Sequence, residues 1–527
     1  MVYDCIVVGA GMAGLTASAY LNKYGYKTLL LERQSETGGL VSTFTVKDFT
    51  FDGGIRAIEN SGIVFPFLKD LGIELEFLES SVSLGVKDKV ITIKGKEAVD
   101  DYGTFLKEMF SENINDIDKI MAEIKRIMKY LDILYGIDNP LFLDPIKDGK
   151  YFATKILPWM FKFAFTFSKI EKLSTPVDEY LAKFTDNQSL IDIIGQHFFF
   201  KTPTFFALSY FSLYLDYRYP KGGTQNLPLK VEEYVRNLNG EIKLETEIKS
   251  VDVTKKEITD QHGNVYHYKK LIWAGDKKSL YQFVDYSGIT NPKQLSKIKN
   301  KEEELKEMVG GDSIFTVFMG VNLGRDYFTS KCTGHFFYTP LLDGLHDVMD
   351  RKESLELSNK KEVFDWVKDY FKYNTFEIAI PSLRDGSLAK EGTTAIVASL
   401  LFDYKIAYAI KEHGWYDEFK KFGEELMIDA LKDSIFPELK ENIVLQFSST
   451  PLTIQSRTLN SEGAITGWAF TNEPIPAVTS LPGVARSVLT VLPDVYQAGQ
   501  WSYSPSGLPI AILTGKLAAD KVKKALK

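Results

Sequence analysis

Three glycines and one acid open the chain at a spacing that can hold phosphate. Gly9, Gly11 and Gly14 form G-x-G-x-x-G directly after the apolar run "DCIVV" (4–8). Glu32 closes the next apolar run, "KTLLLE" (27–32). Each residue type has a physical reason at its position. Gly9 permits a tight turn out of a strand. Gly11 lets the backbone approach a pyrophosphate with no side chain in the way. Gly14 lets the following helix lie close on the sheet. That helix starts near Met12 and Ala13, and its N-terminus offers free N–H groups and a positive dipole end to phosphates. A carboxylate at Glu32 can accept both hydroxyls of an adenosine ribose and would repel a 2′-phosphate, which disfavours NADP. A lone glycine motif is weak evidence, but here strand, turn, helix and acid arrive in the expected order. Dinucleotide binding is the chemistry expected; a tight turn in some other α/β fold is the alternative reading.

More glycine turns follow. Glu32 runs into "RQSETGG", which carries Arg33 and the pair Gly38-Gly39. "FTFDGGIRAIENSG" (49–62) adds Gly53, Gly54, Ile55 and Arg56. Arg56, just after its glycine pair, is the catalytic candidate; a phosphate-binding or salt-bridging arginine is the alternative. Near the far end, "DVYQAGQWSYSPSGLPIAILTGKLAADKV" (494–522) reads as a strand, a turn and a helix. The helix start near Leu508 can favour electron density on a neighbouring ring. A plain capping turn is the alternative there. The glycines alone leave FAD and NAD both open.

Taken together, these stretches resemble the flavin amine oxidase and phytoene desaturase superfamily. The similarity is nearest to phytoene desaturases, carotenoid cis-trans isomerases and retinol saturases. It covers nearly the full chain and is strongest over 3–62, 219–276 and 494–522. The resemblance implies non-covalent FAD. It implies that a "P-x-G-G" turn (here "YPKGGT") re-enters the nucleotide domain and that backbone groups of Ile248 meet the adenine. It also implies that Ala274 and Gly275 of "WAGD" lie close to the cofactor. Gly499 and Gln500 match positions at the pyrophosphate, and Gly507, Leu508 and Pro509 match the turn flanking the isoalloxazine. One departure bears on the reaction: this chain has Asp52-Gly53-Gly54-Ile55-Arg56 where desaturases often carry Asp-x-Gly-Pro.

The elements that must position these residues follow from the patterning. At 527 residues and 44% hydrophobic content, the chain is longer than one core usually serves. The expected class is α/β: a discontinuous Rossmann-like FAD-binding domain with an inserted α+β substrate domain on a mixed sheet, and a helical lid. The expected boundaries are 1–75, 216–300 and 485–527 for the FAD-binding domain, 76–215 for the lid, and 301–484 for the substrate domain. An apolar stripe at Ile114, Ile117, Met121, Ile124, Met128 and Leu131 predicts a helix within 104–135. "YFATKILPWMFKFAFTFSKIEK" (151–172) has Lys155, Lys162 and Lys169 seven apart in an aromatic run. It reads either as a helix lying in a bilayer surface or as a buried helix kinked at Pro158. "HFFFKTPTFFALSYFSLYLDY" (197–217) reads as the wall of an apolar cavity or as core. His197 within it is expected to be a satisfied core histidine.

Composition removes other classes. The net charge of −7 shows no basic face for nucleic acid. Two cysteines, Cys5 and Cys332, make no disulfide framework, and six scattered histidines show no metal-ligand spacing. No signal peptide and no membrane span are expected. Localisation is therefore expected to be cytoplasmic, with peripheral contact on the inner face of a membrane through 151–172 as an open reading. The oligomeric state is left open.

The resemblance and the apolar segments together imply an FAD-dependent oxidoreductase acting on a long polyene or other isoprenoid. Hydride would pass to or from flavin N5, in desaturation, saturation or isomerisation, with a quinone or oxygen as electron acceptor. A flavin amine oxidase, with Trp501 and Tyr503 flanking an amine, is one alternative. A non-enzymatic lipid carrier on the same fold is another.

Overall fold

A computed structural model describes residues 1–527, the side chain of Leu481 excepted. The first strand, Val2–Val8, lies between Thr28–Leu31 and Val265–Trp273, parallel to both. Glu241–Lys243 extends the parallel run on one side and Val495–Gln497 pairs parallel with Val265–Trp273 on the other. Glu257–Asp260 and Ile248–Asp252 then continue antiparallel, completing with Val284–Asp285 an eight-stranded sheet. Short, continuous apolar runs such as "TLLL" suit strands covered on both faces. One face is covered by the helices Met12–Lys23, Asn226–Asn237 and Leu508–Leu526, whose buried side chains join one core. Tyr3, Ile6, Trp273 and Trp468 belong to the core on the other face.

The helices Met12–Lys23 and Leu508–Leu526 pack through small residues. A Cβ on Gly515 would sit 2.4 Å from the carbonyl oxygen of Ala13, so only a hydrogen side chain permits this approach.

A second, seven-stranded sheet runs Ile443–Ser449, Ser313–Val321, Thr394–Phe402, Phe376–Ala379, His335–Thr339, Val82–Val86, Lys89–Ile93. All its pairs are antiparallel except His335–Thr339 with Val82–Val86. The hairpin 82–93 lies within the stretch expected to be helical lid, yet it closes this sheet's edge. "VSLGV" alternates too little to announce its partner, which lies about 250 positions away and is chosen only by tertiary pairing. The back of this sheet packs on Lys360–Tyr373 and Tyr416–Lys432. Its front meets Phe49 and Phe51.

The segment between the sheets is helical and has its own core. The stripe expected over 104–135 divides into Ala98–Met109 and Ile114–Tyr135, because Phe110, at φ −122° and ψ 61°, leaves the helical region. Ile117, Met121, Ile124, Met128 and Leu131 are buried, whereas Ile114, the first helical residue, is exposed. Ile114–Tyr135 packs against Thr204–Asp216 on one side and Leu157–Glu171 on another. Pro158 follows a π-helical turn at Phe152–Ile156 that runs unbroken into Leu157–Glu171, and this wider turn accommodates its missing N–H within the helix. His197 is in contact with Phe198 and Phe337, with ring centroids 4.1 Å and 5.7 Å away. Burial pushes it down to about 3, and its Nε2 has no partner among the described residues.

Gly515→Ala should destabilise the protein by about 1–3 kcal/mol through overpacking, although alanine is the better helix former by ~1 kcal/mol. A lowered urea midpoint would be the result; an unchanged or raised one would mean that the two helices have room to part.

Candidate functional site

Parallel register assembles the site. Val8 pairs with both Leu31 and Trp273, and Trp273 pairs with Gln497. The residues that follow these strand ends are therefore neighbours: Gly9, Glu32, Ala274 and the Ala498-Gly499 turn. Ligands in such sheets bind beyond the carboxyl ends of the strands.

A cavity of about 410 Å³ opens at this edge. Its lining includes Gly9, Gly11, Met12, Ala13, Glu32, Arg33, Gly38, Gly39, Gly53, Gly54, Ile55 and Arg56 from the first part of the chain. Ile248, Ala274, Gly275, Gly499, Gln500, Gly507 and Leu508 complete the expected positions that reach it. Two do not. Gly14 lies beneath the turn, where a Cβ would stand 1.8 Å from the carbonyl oxygen of Gly9. Pro509 is buried in the first turn of Leu508–Leu526.

The glycine turn has the shape of a phosphate cradle. Gly9 adopts φ +96°, which suits glycine alone among ordinary residues. Gly11 caps the helix Met12–Lys23 without a side-chain hydrogen bond. A Cβ on Gly11 would meet nothing within 4 Å, so the space above it is open. Gly38 bridges to Gly11 and donates its N–H to Ala10 O at 2.9 Å, laying a second bare segment along the first. A helix N-terminus free of a cap, next to open space that a side chain would fill, fits a dinucleotide pyrophosphate.

Glu32 is held ready by the backbone. Its Oε2 accepts the Ala10 N–H at 2.7 Å and its Oε1 the Gln34 N–H at 2.9 Å. An ionised carboxylate offers about four lone-pair sites, so two remain for ribose hydroxyls. Burial raises its pKa, opposed by those N–H groups and by Arg33. Arg33 itself donates to the carbonyls of Ser456 and Arg457 at 2.7 and 3.1 Å.

Arg56 lies against the second sheet, at Ser399. It is buried, donating Nη1 to Asp52 O at 2.6 Å and Nη2 to Ser399 Oγ at 2.8 Å, while Nε has no partner among the described residues. Cross-strand pairing sets Ser399 between Thr316 and Glu377, so one face of the second sheet presents a polar row beneath the arginine. His335 shares that face, its Nε2 2.9 Å from Glu377 Oε1. Burial lowers the Arg56 pKa, opposed by Glu377 and Asp52. Burial would raise Glu377, but His335, Arg56 and Arg384 outweigh it and hold the carboxyl below its ordinary value. Arg56, His335 and Glu377 all line the cavity. Asp52 is fully buried and accepts from Thr43 Oγ1, Tyr219 OH and Thr224 at 2.8–3.3 Å.

His335, Glu377 and Glu59 were not singled out in the sequence. Strand alternation in "FEIAI" marks Glu377 as the odd polar residue on an apolar face, which was the available signal. Phe199, Phe206, Tyr210, Tyr217, Ile314 and Ile465 give another part of the wall an apolar and aromatic surface. Trp501 reaches the cavity, whereas Tyr503 is buried beside it with its hydroxyl toward Thr479 O at 3.4 Å. No cluster of three metal-ligating side chains occurs among the described residues.

Gly11→Val should fold, since Gly11 has φ −67° and ψ 175° and open space above it. It should weaken dinucleotide binding about 100-fold or more, equivalent to ~2.8 kcal/mol. Titration of the purified variant checks this; affinity like the wild type's would place the pyrophosphate elsewhere.

The comparisons with known proteins agree with this geometry. The family described as NAD(P)-binding Rossmann-like domain matches residues 7–71. The chain is 24% identical to an inactive all-trans-retinol 13,14-reductase of Danio rerio, over 86% of this chain and 75% of that protein. It is 22% identical to the chloroplastic prolycopene isomerase of Daucus carota (99% and 80%). It is 20% identical to the 1-hydroxycarotenoid 3,4-desaturase of Flavobacterium sp. strain P99-3 (98% and 98%). Among solved structures, cyclohexylamine oxidase from Brevibacterium oxydans superposes with a TM-score of 0.58 at 12% identity, covering 100% of both chains. The chain is thus similar in sequence along most of its length to a prolycopene isomerase, a carotenoid desaturase and a retinol reductase, and it shares its overall fold with cyclohexylamine oxidase around a Rossmann-type nucleotide domain.

Proposed function

We propose that the protein is an FAD-dependent oxidoreductase whose substrate is a long apolar polyene, carotenoid- or retinoid-like. One observation carries the reading: a dinucleotide cradle and an aromatic, largely apolar chamber are parts of a single cavity. The relatives named for carotenoids and retinol support the same substrate class.

In this reading Gly9, Gly11 and the N-terminus of Met12–Lys23 hold the pyrophosphate, and Glu32 holds the adenosine ribose. Ile248 backs the adenine, while Gly499, Gln500 and the 507–509 turn close on the remainder. FAD bound there supplies a two-electron acceptor or donor. Phe199, Phe206, Tyr210 and Tyr217 align the chain of the substrate and exclude water. Arg56, tied to Asp52 and Ser399, fixes the 53–56 loop over the cofactor and contributes positive charge to it. The electron acceptor is a quinone or oxygen.

The helix Leu157–Glu171 supports a route for a lipid-borne substrate. Leu157, Met160, Phe161 and Phe165 are exposed, Phe165 at 76% and Phe161 at 65%. Lys155, Lys162 and Lys169 flank them. That is the pattern of a helix lying in a membrane surface with its ammonium groups at the headgroups. No helix among the described residues is long and apolar enough to cross a membrane. The helix rests on Ile114–Tyr135, which packs on Thr204–Asp216, whose Phe206 and Tyr210 line the cavity.

An amine oxidase reading has one observation of its own, Trp501 in the cavity wall. The separating experiment is anaerobic reduction of the reconstituted protein with a panel of carotenoids, retinoids, unsaturated fatty acids and amines. Bleaching of the flavin by a carotenoid or retinoid, with amines inert, is the expected outcome for a dehydrogenating enzyme; for a saturating one, the reduced flavin is reoxidised by the polyene. Bleaching by amines alone overturns the substrate class. A colourless protein that refuses FAD overturns the enzyme reading in favour of a carrier.

The double variant Phe161→Asp/Phe165→Asp should lose liposome pelleting by about tenfold per phenylalanine or more, given the ~1.5–3 kcal/mol that burying such a side chain contributes. FAD binding should be unchanged. Undiminished pelleting would remove this helix from membrane contact.

A further inference from the structure

Glu59 lines the cavity and has no part in the cradle or in the arginine node. It ends the two-residue strand Ile58–Glu59, where it pairs with Tyr217. The pairing sets its carboxyl among aromatic side chains, with Tyr210 and Tyr217 in the same wall. Its Oε1 lies 3.5 Å from the point where a Cβ on Gly507 would stand, so it faces the bare turn that starts the helix Leu508–Leu526. The adenosine end of the cavity, at Glu32 and Thr246–Ile248, is built from other strands. The redox end of a dinucleotide must lie away from the adenosine, which leaves it on the Glu59 side.

The other ionisable groups of the wall are already engaged. His335 and Glu377 are hydrogen-bonded to each other, and Arg56 is bound to Asp52 O and Ser399 Oγ. The donor that faces the Glu59 carboxyl is its own backbone N–H. Asp216 is the charged group that acts on it, and Tyr135, Tyr210 and Tyr217 are the hydroxyl-bearing neighbours that feel its charge. Burial, reinforced by Asp216, pushes it up to about 7 from an ordinary 4.5. A group poised there holds and releases a proton with equal ease near neutrality.

We propose, on the reading of the site as a flavin-dependent polyene oxidoreductase, that Glu59 exchanges the proton of the reaction with the substrate. In the dehydrogenating direction one C–H bond would give up hydride, a proton with the bond's two electrons, to the oxidised flavin. The neighbouring C–H bond breaks, its electron pair becomes the new C=C bond, and its proton passes to the Glu59 carboxylate. In the saturating direction the neutral Glu59 carboxyl gives its proton to one carbon of the double bond, and the other carbon receives hydride from reduced flavin. Glu59 therefore changes by one proton in the half-reaction with substrate, matched by the two electrons that bound flavin would take up or supply, and it returns to its starting state by exchange with solvent before the next turnover.

The test uses the full chain, with Glu59→Gln and Glu59→Asp. In the ligand-free protein, an infrared pH titration should show a protonated carboxyl band with a midpoint near 7 that is missing from Glu59→Gln. Thermal stability provides a second cofactor-free readout. Glu59 is protonated in the folded state and ionised in the unfolded state between its ordinary value and about 7, so its contribution to stability falls as pH rises across that window. Glu59→Gln should remove that slope. With FAD bound, Glu59→Gln should slow the anaerobic half-reaction by ~100-fold or more and lose the pH inflection, while FAD affinity stays within about twofold. Glu59→Asp should retain the inflection and part of the rate. A Glu59→Gln protein that binds FAD and keeps both rate and pH profile overturns the proposal and leaves the enzyme reading intact. Wild-type protein that refuses FAD overturns both.

Discussion

The parallel pairing of four strand ends is the constraint on which the site depends. Val2–Val8 with Thr28–Leu31, Val265–Trp273 and Val495–Gln497 come from three distant parts of the chain. Their register leaves Gly9, Glu32, Ala274 and Gly499 along one edge, with the helix Met12–Lys23 starting there. A shift of one residue in any pair would move a glycine into the sheet and a side chain into the cradle. The core on both faces holds this register: the strands are buried on both sides, so slippage would expose apolar residues or bury polar ones. Gly14 contributes by letting its helix approach the backbone of the turn, and Gly515 by letting the C-terminal helix approach that helix at Ala13, each within a distance at which a methyl group would collide.

A buried polar node ties the second sheet to the 52–56 loop and the "YPKGGT" turn. Asp52 is fully buried, and Arg384 places its guanidinium over the Tyr219 ring at 4.3 Å, with Nη2 4.0 Å from Asp52. Arg384 also donates to the carbonyl of Arg56. Charged groups in an interior are tolerated when paired and hydrogen-bonded, and they are costly when a partner is removed. Here the partners come from the 52–56 loop, from the "YPKGGT" turn and from the second sheet. Any relative movement of these parts would strip Asp52 or Arg56 of partners. The node thus fixes the loop that covers the cavity and aligns the polar row of the second sheet beneath it. The departure from Asp-x-Gly-Pro matters physically: Ile55 stands in the proline's place and donates its N–H to Leu40 O at 3.1 Å, a bond that a proline could not make.

Much of the nucleotide half was legible because its signals are local. A strand, a glycine turn, a helix and an acid are neighbours in sequence, and their order carries the information. Gly38-Gly39, the "WAGD" strand end and the 499–508 turn were legible for the same reason, since bare backbone stands out among side chains. Gly14 and Pro509 belong to the same motifs but act from beneath, through packing. The helical stripe was legible at Ile117 through Leu131, while its division at Phe110 was not, because one residue's dihedral angles leave no mark on periodicity. The aromatic run 151–172 admitted two readings. Exposure of Phe161 and Phe165 is a property of what packs against the other side of that helix, and periodicity alone is blind to it.

Residue order alone therefore determined the nucleotide-binding turn, the α/β class and the positions of the bare backbone segments, because each rests on interactions within a few residues. Tertiary structure decided the chemistry of the chamber. Glu59, His335, Glu377 and Arg56 are separated by up to hundreds of positions, and nothing local distinguishes Glu59 from a surface glutamate. Its surroundings come from a two-residue strand pairing with Tyr217 and from a helix start near the C-terminus. Desolvation, which gives that carboxyl its proton affinity, is a property of the assembled cavity and has no counterpart in the unfolded chain.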